Sequence, residues 1–133
     1  MVFQQGAIAP ARTVEVVNRT GRGPVVLVCD HASNHIPAGY NGLGLVPSEM
    51  TRHIAWDPGA MPVATAMSAA LDAPLVASAV SRLVIDCNRP LDAPDLIAAV
   101  SETTVIPGNA RISSEERARR VAFSRPYFTT DLV

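Results

Sequence analysis

The chain has 133 residues, 48% of them hydrophobic and 17% charged, with a formal net charge of −1 at pH 7. That length holds one ordinary domain rather than two, and a charge so close to zero speaks against nucleic acid or an anionic membrane as the main partner. The charged share is below the about 25% usual in soluble domains, and all eleven basic residues are arginine, which excludes a Schiff-base lysine, a lysine general base and a Walker A lysine.

From the N-terminus, Met1 to Gln5 lacks the basic-then-apolar order of a signal peptide. No apolar stretch approaches the length of a membrane span, and Cys29 and Cys87 alone make no disulfide framework. The expectation is a reduced, cytoplasmic protein with no membrane contact. Val14 to Val17 alternates and predicts an edge strand; Thr20 to Pro24 predicts a turn. Val25 to Cys29 is a continuous, mostly β-branched run, the pattern of a strand buried on both faces. Asn41 to Pro47 predicts a glycine-rich loop, and Ser48 can cap a short helix reaching about Trp56. Asp57-Pro58-Gly59 opens the next helix, with Asp57 as cap and the proline in the first turn. That helix, Pro58 to about Leu71, is rich in Ala and Met, so burial is expected. Leu75 to Ser78 and Arg82 to Ile85 predict two further strands; Leu91 to Asn109 predicts mainly loop. Ser113-Ser114-Glu115-Glu116 matches the capping box of a polar helix ending near Phe123. Strand, helix, strand, strand, helix predicts an α/β fold, a sheet flanked by helices.

Three clusters could carry chemistry. Asp30, His31, Asn34 and His35 follow a strand end, where open α/β sheets place their ligands. Such a turn can aim an imidazole and an oxygen donor at one point, or Asn34 and Asp30 can satisfy backbone amides. His53 and Asp57 would share a face at i, i+4 if one helix ran through both, but Pro58 disfavours that geometry at Asp57 and leaves it as a helix cap. Trp56 reads as packing. Asp86-Cys87-Asn88-Arg89 closes the third apolar run. Arg89 can grip a carboxylate with two parallel bonds and Asn88 can add a third, or Arg89 and Asp86 can pair to hold a strand end. Cys29 and Cys87 sit in or beside apolar strands and read as buried thiols.

Cys29 to Pro37, His53 to Ala60, Ser81 to Pro90 and Ile106 to Asn109 together resemble the signature segments of the N-formylglutamate amidohydrolase family, in order over nearly the whole chain. The resemblance implies an α/β fold with a mixed sheet flanked by helices, similar to the zinc-dependent exopeptidases (phosphorylase/hydrolase-like). It implies hydrolysis of N-formyl-L-glutamate, or a related N-acyl amino acid, to the free amino acid and formate, with a divalent metal ion, zinc first, as cofactor. In related metalloenzymes a His-x-x-Glu turn binds the metal; His31 occupies the His position and Asn34 the Glu position, and Asp57 can supply the carboxylate. The resemblance thus implies His31 and Asp57 as metal ligands, Asn34 and Asp57 as catalytic groups, and Asn88 and Arg89 as the grip on the substrate carboxylate. It also implies that residues 1–133 form one unit, the N-terminal part of a longer domain. Phe128 stands where a Pro-Tyr-His segment would have its histidine, and a later histidine motif is absent. The alternative expectation is a truncated, inactive remnant that binds metal or carboxylate weakly. Self-association through exposed apolar surface is expected with either.

Overall fold

A computed structural model describes residues 12–132; the N-terminal residues read above for a signal peptide lie outside that range. Five strands and two α-helices follow one another: β1 Val14–Val17, β2 Leu27–Cys29, α1 Ala60–Leu71, β3 Leu75–Ser78, β4 Val100–Ser101, β5 Thr104–Val105 and α2 Ser114–Phe128. The main sheet has the order β1-β3-β2, with β3 antiparallel to β1 and parallel to β2. The fold is therefore α/β with a mixed sheet, as expected. β1 is an edge strand, and the central β3 is buried along its whole length.

β2 departs from expectation. It is three residues long, and it is not buried on both faces: Val26 and Val28 are 53% and 66% exposed. The cause is position, because β2 is also an edge, pairing only with β3 among the described residues. Leu27 and Cys29 point to α1, where they meet Leu75, Ala77, Ala60, Met61 and Ala64.

Helix α1 starts later and is far more exposed than its composition predicts. Gly59 is its cap, Asp57 gives only its backbone carbonyl to Ala60, and Ser68 alone is buried along the helix. Ala60, Ala64 and Ser68, spaced at i, i+4 and i+8, share one face, and the first two pack against the sheet-side core. Val63, Met67 and Leu71 face outward. The helix ends at Asp72 in the left-handed region (φ 47°), whose carboxylate accepts from Asn18 Nδ2 and the Arg22 amide, each at 3.1 Å. Gly23 passes so close that a Cβ would lie 2.1 Å from the Leu71 carbonyl oxygen, so no other residue fits there.

Ser48 caps no helix. It takes helical dihedrals itself, which turn its hydroxyl away from the following amides, and only the 3₁₀ turn Glu49–Thr51 forms. The loop expected at Asn41 to Pro47 begins as a kinked 3₁₀ stretch, Ala38–Gly44.

The largest correction concerns Arg82 to Ile85, which is no strand. The Val84 amide bonds the Ser81 carbonyl in a turn, and Ser81 Oγ accepts from the Leu83 amide while donating to the Ala55 carbonyl. Leu83, Val84 and Ile85 are nevertheless buried, packing with Leu43, Ala55, Leu96, Ile97 and Ile106. A buried irregular backbone needs partners for its polar groups. Asn109 Nδ2 donates to the Leu83 and Ala98 carbonyls at 2.8 Å, and Arg120 donates to the Val84 carbonyl at 3.2 Å.

The stretch from Leu91 to Asn109 is mainly loop, as expected, with the small β4–β5 hairpin and a 3₁₀ turn at Pro107–Asn109 inside it. The cap of α2 forms on one side only: Ser113 Oγ accepts from the Glu116 amide at 3.0 Å. The Glu116 carboxylate does not reach back, because Arg119 and Arg120 take it. α2 also runs five residues past the expected end, through Pro126, held there by buried Tyr127, whose hydroxyl donates to the Asp30 carboxylate. Among the described residues no helix is long and apolar enough to cross a membrane.

Candidate active site

The turn after β2 carries His31, which is buried. The Asp57 amide donates to the His31 carbonyl at 2.9 Å, so the segment before α1 is stitched to this turn and brings its carboxylate to the ring. His31 Nδ1 lies 3.3 Å from Asp57 Oδ2, and His31 Nε2 lies 2.7 Å from Asp86 Oδ1. One imidazole is thus clamped between carboxylates from two distant segments. A neutral imidazole can donate from only one nitrogen, whereas an imidazolium donates from both. The bond to Asp86 raises the His31 pKa; burial and Arg82 pull it down, and the sum is upward.

Asp86 is buried at the mouth of the irregular core. Burial pushes its carboxyl up, but the bonds from His31 and the Asn88 amide, with the charge of Arg82, outweigh that and hold it below the ordinary carboxylate range. Arg82 completes the group, 3.4 Å from Asp86 Oδ2 and 3.5 Å from Asp57 Oδ1. Two carboxylates, an imidazole and a guanidinium meet here. Asp57 is its exposed member, with half of its side chain open to solvent.

The expected site residues divide. His31 and Asp57 come together. Asn34 gives its side-chain amide to the Met50 carbonyl at 2.8 Å, not to His31. Asn88 contributes its backbone amide, at 2.9 Å from Asp86 Oδ1. Arg89 pairs with Asp95 at 3.1 Å and reaches to 4.0 Å of Asp86. Arg82, Asp86, Arg89 and Asp95 line one polar cavity of about 180 Å³. His53 does not share a helical face with Asp57; no helix passes there, and its ring pairs with Glu102 at 2.6 Å instead. Asp57 is not a side-chain cap either. His35 is exposed, and Trp56 packs on the irregular core, as read from the sequence.

Sequence reasoning missed Arg82. It opened a supposed strand, in which it would share a face with Asp86 at a separation of about 13 Å; the turn that forms there instead brings it to 3.4 Å of the Asp86 carboxylate. Of the two thiols, Cys29 is buried and Cys87 half-buried; burial raises Cys29 and pushes Cys87 up to about 11, which leaves both unreactive near neutrality.

A catalytic zinc site takes three protein ligands. His31 Nδ1 and Asp57 Oδ2 face each other and fit two positions. Among the described residues no group of three His, Cys, Asp or Glu side chains is placed to hold a metal ion. The residues present therefore fit part of such a site and not the whole.

The fold and the site define an α/β domain with a mixed sheet and a carboxylate–imidazole–arginine cluster at the end of a strand. The sequence model described as N-formylglutamate amidohydrolase matches residues 23–129, and the chain belongs to that family. No curated protein matches it. Among solved structures it is similar to the gene product Atu2144 from Agrobacterium tumefaciens, at 42% identity and a TM-score of 0.86, over 90% of this chain. The chain spans 48% of the length of that protein.

Proposed function

We propose that this chain carries the substrate-facing residues of an amidohydrolase acting on N-formyl-L-glutamate or a related N-acyl amino acid. One observation carries the reading: His31 is held between Asp57 and Asp86 with Arg82 closing the group, inside the segment the family model covers. Asp86 fixes the ring and tautomer of His31 from the buried side. Asp57, at the exposed end, is the carboxylate placed to take a proton from water and pass it to the leaving amine. Arg89, with Asn88 beside it, holds the substrate carboxylate, so that binding energy becomes orientation of the amide. Asn34, tied to Met50, keeps the turn in shape and lies near the reacting groups in sequence.

The proposal includes a divalent metal ion, zinc by its donor types, held by His31 and Asp57. When bound, such an ion lowers the pKa of water and polarises the acyl oxygen. A scaffold like that of zinc-dependent exopeptidases belongs to the same proposal, as does a cytoplasmic setting, supported by two free thiols.

The test is formate release from N-formyl-L-glutamate by the purified chain with zinc or cobalt. Metal-dependent release is expected, lost in His31→Ala. Absence of formate from a folded sample with either metal overturns it. A second reading then stands: a catalytically inactive member with weak metal or carboxylate binding. Only two converging donors among the described residues favour it.

A further inference from the structure

The β4–β5 hairpin stands apart from the main sheet. Its strands pair only with each other among the described residues, and Val100 and Val105 are 53% and 59% exposed, so core packing holds little of it. Its base is anchored: the Ile106 amide donates to the Ala99 carbonyl and Asn109 Nδ2 to the Ala98 carbonyl, each at 2.8 Å. Its other anchor is at the tip. Ser101 pairs with Thr104, which leaves Glu102 and Thr103 as the loop. Glu102 has φ 54°, in the left-handed region, where such short loops usually take Gly or Asn. A residue with a larger side chain persists in that region only where its surroundings hold it.

Here they do. The Glu102 carboxylate accepts from His53 Nε2 at 2.6 Å and lies 3.7 Å from Arg52 Nη2, while Arg52 Nη1 donates to Thr104 Oγ1 at 3.1 Å. Neither Arg52 nor His53 lines the polar cavity of the candidate site, but the hairpin does: Val100, Ser101 and Glu102 share it with Arg82, Asp86 and Arg89. The grip on the tip therefore fixes one wall of the site from outside it. These charges are exposed, so the pair adds little to global stability. Its effect falls on the hairpin, whose few buried contacts make local opening easy.

We propose that Glu102 is a positioning residue: tied to His53 and Arg52, it holds the β4–β5 hairpin as a wall of the cavity that receives the acidic substrate. The inference rests on the reading above, and it gives His53 a part in substrate binding without contact.

The test is calorimetric titration of the full chain with N-formyl-L-glutamate, alongside hydrogen exchange of the amides of residues 100–105. Glu102→Gly relieves the left-handed turn and removes the carboxylate, so the hairpin still forms but loses its latch. His53→Ala breaks the latch from the other side. Apparent affinity scales with the fraction of chains in the binding-competent state, so a fall of that fraction to about a tenth weakens binding about tenfold. Each variant should show that loss and faster exchange in the hairpin, with an unchanged circular dichroism spectrum. The double variant should lose no more than Glu102→Gly alone, because the same pair is broken. Glu102→Gln, which still accepts from His53, should recover most of the affinity. Parental affinity in both single variants overturns the positioning role, whatever the exchange rates, and leaves the catalytic reading standing. Additive losses in the double variant overturn it too, since the side chains would then act separately. A parent chain that binds no N-formyl-L-glutamate sinks the catalytic reading and this role together.

Discussion

Two halves of this molecule solve the burial problem in opposite ways. Around Leu83, Val84 and Ile85 there is no helix or strand, yet the side chains are buried and their carbonyls are satisfied by Asn109 and Arg120. Around β2 and α1 the secondary structure is regular, yet Val26, Val28, Val63 and Met67 stand open. Regular hydrogen bonding and burial are separate achievements. A strand satisfies its backbone from its neighbours wherever it lies, whereas an irregular segment can be buried only if specific side chains reach in. The irregular half should therefore depend on single residues and the regular half should not.

The sharpest way to break that comparison is Arg120→Ala. Arg120 is 2% exposed, bonds Asn109 Oδ1 at 2.7 Å, the Val84 carbonyl at 3.2 Å and Glu116 at 2.9 Å, and stacks over the Tyr40 ring at 4.7 Å. Its loss leaves a cavity, takes the Arg120 donor from Asn109 Oδ1 and the Val84 carbonyl, and leaves Glu116 to Arg119. Truncating one partner of a buried ionic network costs about 3–5 kcal/mol, a large share of the about 5–15 kcal/mol of a typical domain. Urea denaturation should show that drop. A loss below about 1 kcal/mol would mean that the irregular core does not hang on this side chain.

Part of this division is readable in sequence, and the reason is locality. The Ser113 cap depends on a neighbour in the next turn, and β1 and β3 carry their strand pattern within their own few residues although they pair across the chain, Val14 opposite Ser78; all three appear where patterning places them. The 83–85 segment reads as a strand because its apolar run matches one; its true partners, Asn109 and Arg120, lie 26 and 36 residues on. The site follows the same rule. His31, Asp57 and Arg89 stand out as residue types at segment ends. The approach of Arg82 to both Asp57 and Asp86 depends on a turn that pattern alone cannot distinguish from a strand.

A smaller and pH-dependent effect sharpens the comparison on the arginine's partner. Burial raises the Glu116 carboxyl, but the bonds from Arg120 and Arg119 outweigh it and hold the group below its ordinary 4.5. A depressed carboxyl stabilises the fold above its unfolded pKa, and that contribution is lost as pH falls through the folded value. Glu116→Gln should thus cost about 1 kcal/mol at neutral pH. The gap to the parent chain should close as the pH is lowered through the acid range below 4.5. Denaturation curves at several pH values measure it; a gap that persists in acid would place the stabilisation in packing and not in charge.

The smallest effect belongs to the regular half, and there the expectation is close to nothing. Val28 pairs in register with Val76 of β3, yet Val76 is 5% exposed and Val28 66%. Val28→Thr keeps the β-branched shape and hence the strand preference. Its hydroxyl enters water, so no polar group is buried, and the backbone bonds of β2 to β3 do not involve the side chain. Stability should change by no more than about 0.5 kcal/mol. What should change is association: a valine edge is a template for pairing with another chain, so size-exclusion profiles at rising concentration should shift toward monomer in Val28→Thr. A loss of stability comparable to that of Arg120→Ala would show that the exposed face is covered in solution and that the two halves do not differ as drawn.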